Sequence, residues 1–127
     1  MKTIEMLEAA REAARGGARE ATFAELGFSA QIFWAYNRSR EAETEILDFE
    51  DVIWEKDIPA ILADCKRFEI DRFTISCGMS SMAETIWELE KQGCRLVGMA
   101  RVNGRFEDYR TGARETKPAF LIETAWA

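Results

Sequence analysis

Phe68–Asn103, FEIDRFTISCGMSSMAETIWELEKQGCRLVGMARVN, decides the fold. Arg72–Cys77 (RFTISC) is short and rich in β-branched and aromatic residues, the composition of a strand. Ser81–Glu84 has the spacing of a capping box, and Met82, Ile86 and Leu89 then recur on one helical face. Gly93 stands where a left-handed residue ends a helix, and Cys94–Val102 follows as a second strand. If both strands lie in one sheet, they run parallel with a right-handed crossover.

Outward from this unit, Asn103-Gly104 signals a tight turn, and Lys117–Thr124 reads as the return strand of a C-terminal hairpin. Pro118 favours an edge position or a strand start, because proline lacks a ladder donor. The tip between them mixes Arg105, Phe106, Tyr109, Arg110 and Arg114 with Glu107, Asp108 and Glu115. Its expected state is a loop folded back with its aromatics packed.

On the other side of the unit, Asp57 suits an N-cap and Pro59 a first helical turn. Ile58, Ile61, Leu62, Cys65 and Phe68 then trace the stripe of a helix lying on the sheet. Leu47–Trp54 fits an edge strand or a helical turn, and of the two a short strand entering the sheet is the preferred reading. Further upstream, residues 3–15 form an amphipathic helix ended by Gly16-Gly17. A second helix, opened by the capping-box spacing Thr22–Glu25, runs to about Glu43.

The expected fold is therefore α/β (α+β): a small three- or four-stranded mixed sheet with a strand-helix-strand unit, a C-terminal hairpin and two added N-terminal helices. Residues 1–127 are read as a single domain, helical over 1–43 and α/β over 44–127, with a 47% hydrophobic share sufficient for a core.

Composition narrows the function. The chain contains no histidine, which removes the commonest general base and zinc ligand. Cys65, Cys77 and Cys94 are odd in number and lack CxxC spacing, so buried, reduced thiols in a cytoplasmic protein are expected. No apolar run approaches the roughly 20 residues of a membrane span, so no membrane association is expected. Net charge is −6, divided as −8 over residues 1–94 and +2 over residues 95–127.

Three constellations are candidates for function. In the first, Ser76, Gly78, Ser80 and Ser81 lie after a strand and before a helix, where backbone N–H groups and hydroxyls can hold an anion. The loop lacks the lysine of a phosphate-binding loop and the three glycines of a dinucleotide fold, and a serine pair there commonly serves as a cap. The second is the acidic run Glu41–Asp57, with eight carboxylates against one lysine. Glu43, Glu45, Glu50 and Asp51 are its candidate partner-binding residues, acting as an acidic surface for a basic partner or as mimics of nucleic-acid phosphates. The third is the aromatic helix, whose Phe28, Trp34 and Tyr36 lie off the main stripe and suit self-association as a homodimer.

Several segments together carry a resemblance. These are Leu47-Asp48-Phe49, Trp54–Pro59, Phe73–Ser76, Ser80-Ser81, Gly93–Arg95, Val102-Asn103 and Asp108–Gly112. In them the chain resembles an uncharacterised family of small proteins from mobile elements and prophages of Gram-positive gut bacteria. The resemblance spans about Leu47–Ile122 and implies no catalytic residue. It implies an accessory protein, one that interferes with a host or competing system.

The sequence reading is a non-enzymatic protein-binding protein with an unidentified protein partner. No cofactor, metal or catalytic residue is assigned, and direct nucleic-acid binding is not expected. The alternative is a binder of phosphate-bearing small ligands, or an enzyme, using the 76–81 loop.

Overall fold

The computed structural model describes residues 29–51, 53–77 and 81–127. The helix expected over residues 3–15, and the segment Thr22–Phe28 of the next, lie outside the described residues. Three helices and a four-stranded mixed sheet follow in the order α1 (Ala30–Ala42), β1 (Asp48–Phe49), α2 (Ile58–Arg67), β2 (Arg72–Ile75), α3 (Met82–Lys91), β3 (Arg95–Glu107) and β4 (Arg114–Glu123). A 3₁₀ turn, Glu55–Asp57, leads into α2.

The strand order is β1-β2-β4-β3. β1 and β2 are parallel, with Asp48 opposite Thr74 and Phe49 opposite Ile75, while β4 is antiparallel to both of its neighbours. β2 and β3 therefore share a direction, as the strand-helix-strand reading expects. They are not adjacent, because β4 inserts between them.

Phe49, Phe73, Ile75, Phe120, Ile122 and Leu96 share one face of the sheet through these registers. They join Ile61, Leu62 and Cys65 of α2 and Met82, Ile86 and Leu89 of α3 in one apolar cluster. The rings of Phe49 and Phe73 meet edge to face at 5.2 Å. Apolar helix residues recurring every three to four positions thus meet alternate strand residues, and removing this area from water drives the assembly.

Local signals are used selectively. Gly93 has φ +90°, its N–H reaches Glu90 O and the Cys94 N–H reaches Leu89 O, closing α3 as expected. Ser81 stands at the N-cap position of α3, but its hydroxyl caps nothing, and its carbonyl instead receives bonds from Thr85. Asp57 likewise precedes α2 without a side-chain bond. The described part of the aromatic helix has Ser29 at its N-cap, whose hydroxyl accepts from the Ile32 N–H, while the expected start at Thr22 lies outside the described residues.

Asn103-Gly104 does not turn. β3 continues to Glu107, and the chain reverses at 108–113, where the Asp108 N–H reaches Ala113 O and the Gly112 N–H reaches Asp108 O. Asn103 is held in the strand because its amide donates to Ala42 O and Glu43 O. Gly104 lies so close to the opposite strand that a Cβ there would stand 3.2 Å from Glu115 O. The return strand accordingly begins at Arg114, not Lys117. Pro118 is tolerated in an inner strand because β2 pairs β4 only over Phe120–Glu123, leaving the Pro118 end facing β3 alone.

Candidate functional site

The densest polar chemistry lies where α1 meets β1. Arg38 is only 2% exposed and Asp48 is fully buried. Arg38 Nε stands 3.0 Å from both Asp48 Oδ2 and Glu50 Oε2, and its Nη2 donates to Asn103 O at 2.9 Å. The Asp48 carboxylate also accepts from the hydroxyls of Thr74 and Ser76, each at 2.6 Å. Glu50 extends the cluster to Arg105 at 3.1 Å and Lys117 at 3.3 Å. One helix, two strands and the β3–β4 hairpin are thereby joined through a single arginine and two carboxylates.

Ser39 completes this corner. Its hydroxyl accepts the Asp48 N–H at 2.8 Å and donates to Ala35 O at 2.7 Å. On its other side, β1 gives Leu47 O and Phe49 O to the N–H groups of Thr74 and Ser76. The outward N–H of a two-residue edge strand is thus satisfied by a side chain of α1, which burial otherwise makes costly.

Chemically, the polar groups of this cluster are spent on one another. The hydroxyls of Thr74 and Ser76 donate to a carboxylate already paired with a guanidinium, so no base is left to activate them. Beside it a cleft of about 60 Å³ is lined by Gln31, Trp34, Ala35 and Arg38 of α1 and by Phe49, Glu50, Asp51 and Ile53. Arg38 Nη1 has no hydrogen-bond partner but is sealed from solvent.

The structure separates the residues singled out in the sequence. Of the anion-loop candidates, Ser76 is bound to Asp48, Ser81 caps nothing, and Gly78 and Ser80 lie outside the described residues. Of the acidic candidates, Glu43, Glu45 and Asp51 are exposed, whereas Glu50 turns inward to three cations. Asp48, the acid the sequence reading did not single out, is the most buried of the run. Of the aromatics, Trp34 is half exposed and meets the Phe33 ring at 5.2 Å, Tyr36 is buried within the chain, and Phe28 lies outside the described residues. Tyr36 therefore presents no ring for self-association. A spacing of four residues between Arg38 and Ala42 and of two between Asp48 and Glu50 was the available signal for the buried cluster.

The cysteines are free and buried. Burial, then the neighbouring Asp64 carboxylate and Cys94, push the Cys65 thiol up to about 12. Burial also raises Cys94, offset in part by the Ala125 backbone N–H. Both shifts lower the thiolate fraction of these cysteines near neutral pH.

Exposed apolar groups concentrate elsewhere. Val97 and Met99 of β3 are exposed, the latter at 62%, and Phe106 and Tyr109 at the hairpin end are exposed at 82% and 90%. α3, which packs against β3, adds exposed Trp87. The tip is thus not folded back. Arg114 instead anchors its base, bonding Glu41 O, Gly104 O and Arg105 O and pairing with Glu107 at 3.0 Å. β3 is the outermost strand, and no described strand pairs with its free side. Sequence reasoning missed this surface because it placed the second strand, Cys94–Val102, beside the first, whereas β4 inserts between them and leaves β3 at the edge.

Residues 31–124 match the profile of a family described as a domain of unknown function, DUF7698. No curated protein and no solved structure matches the chain.

Proposed function

The chain belongs to the DUF7698 family, and on that premise we propose that it is a non-enzymatic protein-binding accessory protein, docking a partner protein along the free side of β3. The observation that carries this reading is the run of exposed apolar side chains, Val97, Met99, Phe106 and Tyr109, on one unpaired edge and its tip. Exposed apolar surface of this kind is retained where a partner covers it. The polar groups that would serve catalysis are tied to one another around Asp48, and the Cys65 thiol stays protonated. The resemblance to accessory proteins of mobile elements supports the same reading, an action against a host or competing system, and the free, buried cysteines support a cytoplasmic setting for it. No described helix is long and apolar enough to cross a membrane.

The test is a tagged capture from the source cell with three chains: the parent, a Val97→Lys/Met99→Lys variant, and a Glu43→Lys/Glu45→Lys/Asp51→Lys variant. A partner held by the parent, lost from the first variant and kept by the second, supports docking on β3. Loss from the acidic variant alone overturns it in favour of the acidic surface, and retention by both variants overturns it in favour of neither surface.

A further inference from the structure

Resting on the β3 reading, we propose that the partner supplies an extended segment that adds to β3 as a fifth strand, with an apolar residue and a carboxylate two positions apart. β3 is 13 residues long, about 43 Å at ~3.3 Å per residue. Its register with β4 is regular from Gly98 to Asn103, between two irregularities. Over that window no described strand pairs with its outer side, and of its carbonyls Asn103 O is taken by Arg38 Nη2.

The side chains define the occupant. Met99 pairs with Phe120 and Arg101 with Pro118, so Met99 and Arg101 share one face and both are exposed. An added strand places its own residues opposite these two, and cross-strand pairs favour an apolar side chain against Met99 and a carboxylate against Arg101. Arg101 hydrogen-bonds Thr116, and no carboxylate pairs with it among the described residues, whereas Arg95 pairs with Glu123 and Arg105 with Glu50. Along the whole strand there are three arginines and one acid, Glu107. Two copies of β3 side by side would bring this positive strand against itself, so charge disfavours a second copy of the chain as the occupant and favours an acidic segment.

The test uses the purified full chain and two synthetic peptides, one repeating leucine-threonine-glutamate-threonine and one with lysine in place of glutamate. Amide hydrogen exchange is followed residue by residue. The expected result is slowed exchange at alternate β3 amides between Gly98 and Asn103 with the glutamate peptide. Its affinity should exceed that of the lysine peptide by roughly fivefold, the size of one good cross-strand charge pair. Arg101→Glu should reverse that preference. Protection away from β3, equal binding of the two peptides, or no protection with either overturns strand addition. So does sedimentation showing a dimer whose alternate β3 amides are already protected without peptide. If the cellular partner is lost on Met99→Lys while the glutamate peptide leaves β3 unprotected, the docking surface stands and strand addition falls.

Discussion

β1 and β3 are both outer strands of the same sheet, yet they are finished in opposite ways. β1 is two residues long, its outward N–H is taken by Ser39, and the carboxylates on either side of Phe49 are held by Arg38. β3 is long, carries Val97 and Met99 in the open, and ends in a tip whose aromatics touch little of the chain. The edge buried under α1 has been closed with polar side chains, and the edge with apolar side chains has been left open. Natural sheets cover, charge or shorten their edges. On the proposed function, an edge that is only partly charged and not shortened is where the partner contributes the missing cover.

The largest effect that would break this contrast is at Arg38. Arg38→Ala leaves Asp48 and Glu50 buried or half-buried without their shared cation, and should cost about 3–5 kcal/mol. Urea unfolding checks this, and a midpoint like the parent's would mean that the β1 corner is not held by the ion pair. Leu89→Ala, in the apolar layer that both edges share, should cost about 2–5 kcal/mol. If it costs less than Arg38→Ala, the polar corner matters as much as the core.

Alkaline pH probes the same layer through Cys65. The folded chain keeps this proton to about 12, whereas the unfolded thiol ionises near its ordinary value of 9.0. The folded state thus binds more protons between these values, so the contribution of Cys65 is complete below pH 9 and is lost as pH rises towards 12. Unfolding measured at about pH 8 and about pH 10 should show a decline that Cys65→Ala makes shallower. Equal declines in the two chains would place the effect elsewhere.

Ser39→Ala removes the acceptor for the Asp48 N–H and should cost about 1–3 kcal/mol, with faster amide exchange at Asp48. Unchanged exchange would mean that the β1 edge is closed by burial alone. The smallest effect belongs to the open edge. Met99→Lys should stay within about 0.5 kcal/mol of the parent, because the side chain already faces water. A larger loss would show that Met99 serves the fold and would weaken the contrast.

How much of this was legible in the sequence follows the range of each interaction. The stripes of α2 and α3 and the stop at Gly93 are encoded by neighbours three or four residues apart, and they were read correctly. The strand-helix-strand unit was legible too, but not the insertion of β4, because Arg72 meets Glu123 only through a pairing remote in the chain. Asn103-Gly104 misled because its local turn preference loses to bonds with Ala42 O and Glu43 O, some sixty residues away. The acidic run looked like one surface, yet alternation along β1 drives Asp48 and Glu50 inward while Glu43, Glu45 and Asp51 stay out. Which acids would find cations depended on Arg38, Arg105 and Lys117 arriving from three separate segments.

The position of β4 also fixes an order of assembly. β2 lies between β1 and β4, and β1 offers it only two residues, so the middle of the sheet does not exist until β4 has been made. The last contacts reinforce this, since Thr124 bonds Asp71 O and the Trp126 indole bonds Ile70 O, tying the start of β2 to residues beyond β4. During synthesis α1, α2 and α3 therefore emerge with no sheet to lie on, and the chain waits for a closure across about fifty residues, a step that long-range topology makes slow. A nascent chain halted before β4 would carry the apolar faces of α2 and α3 uncovered and would be a target for chaperones and proteases.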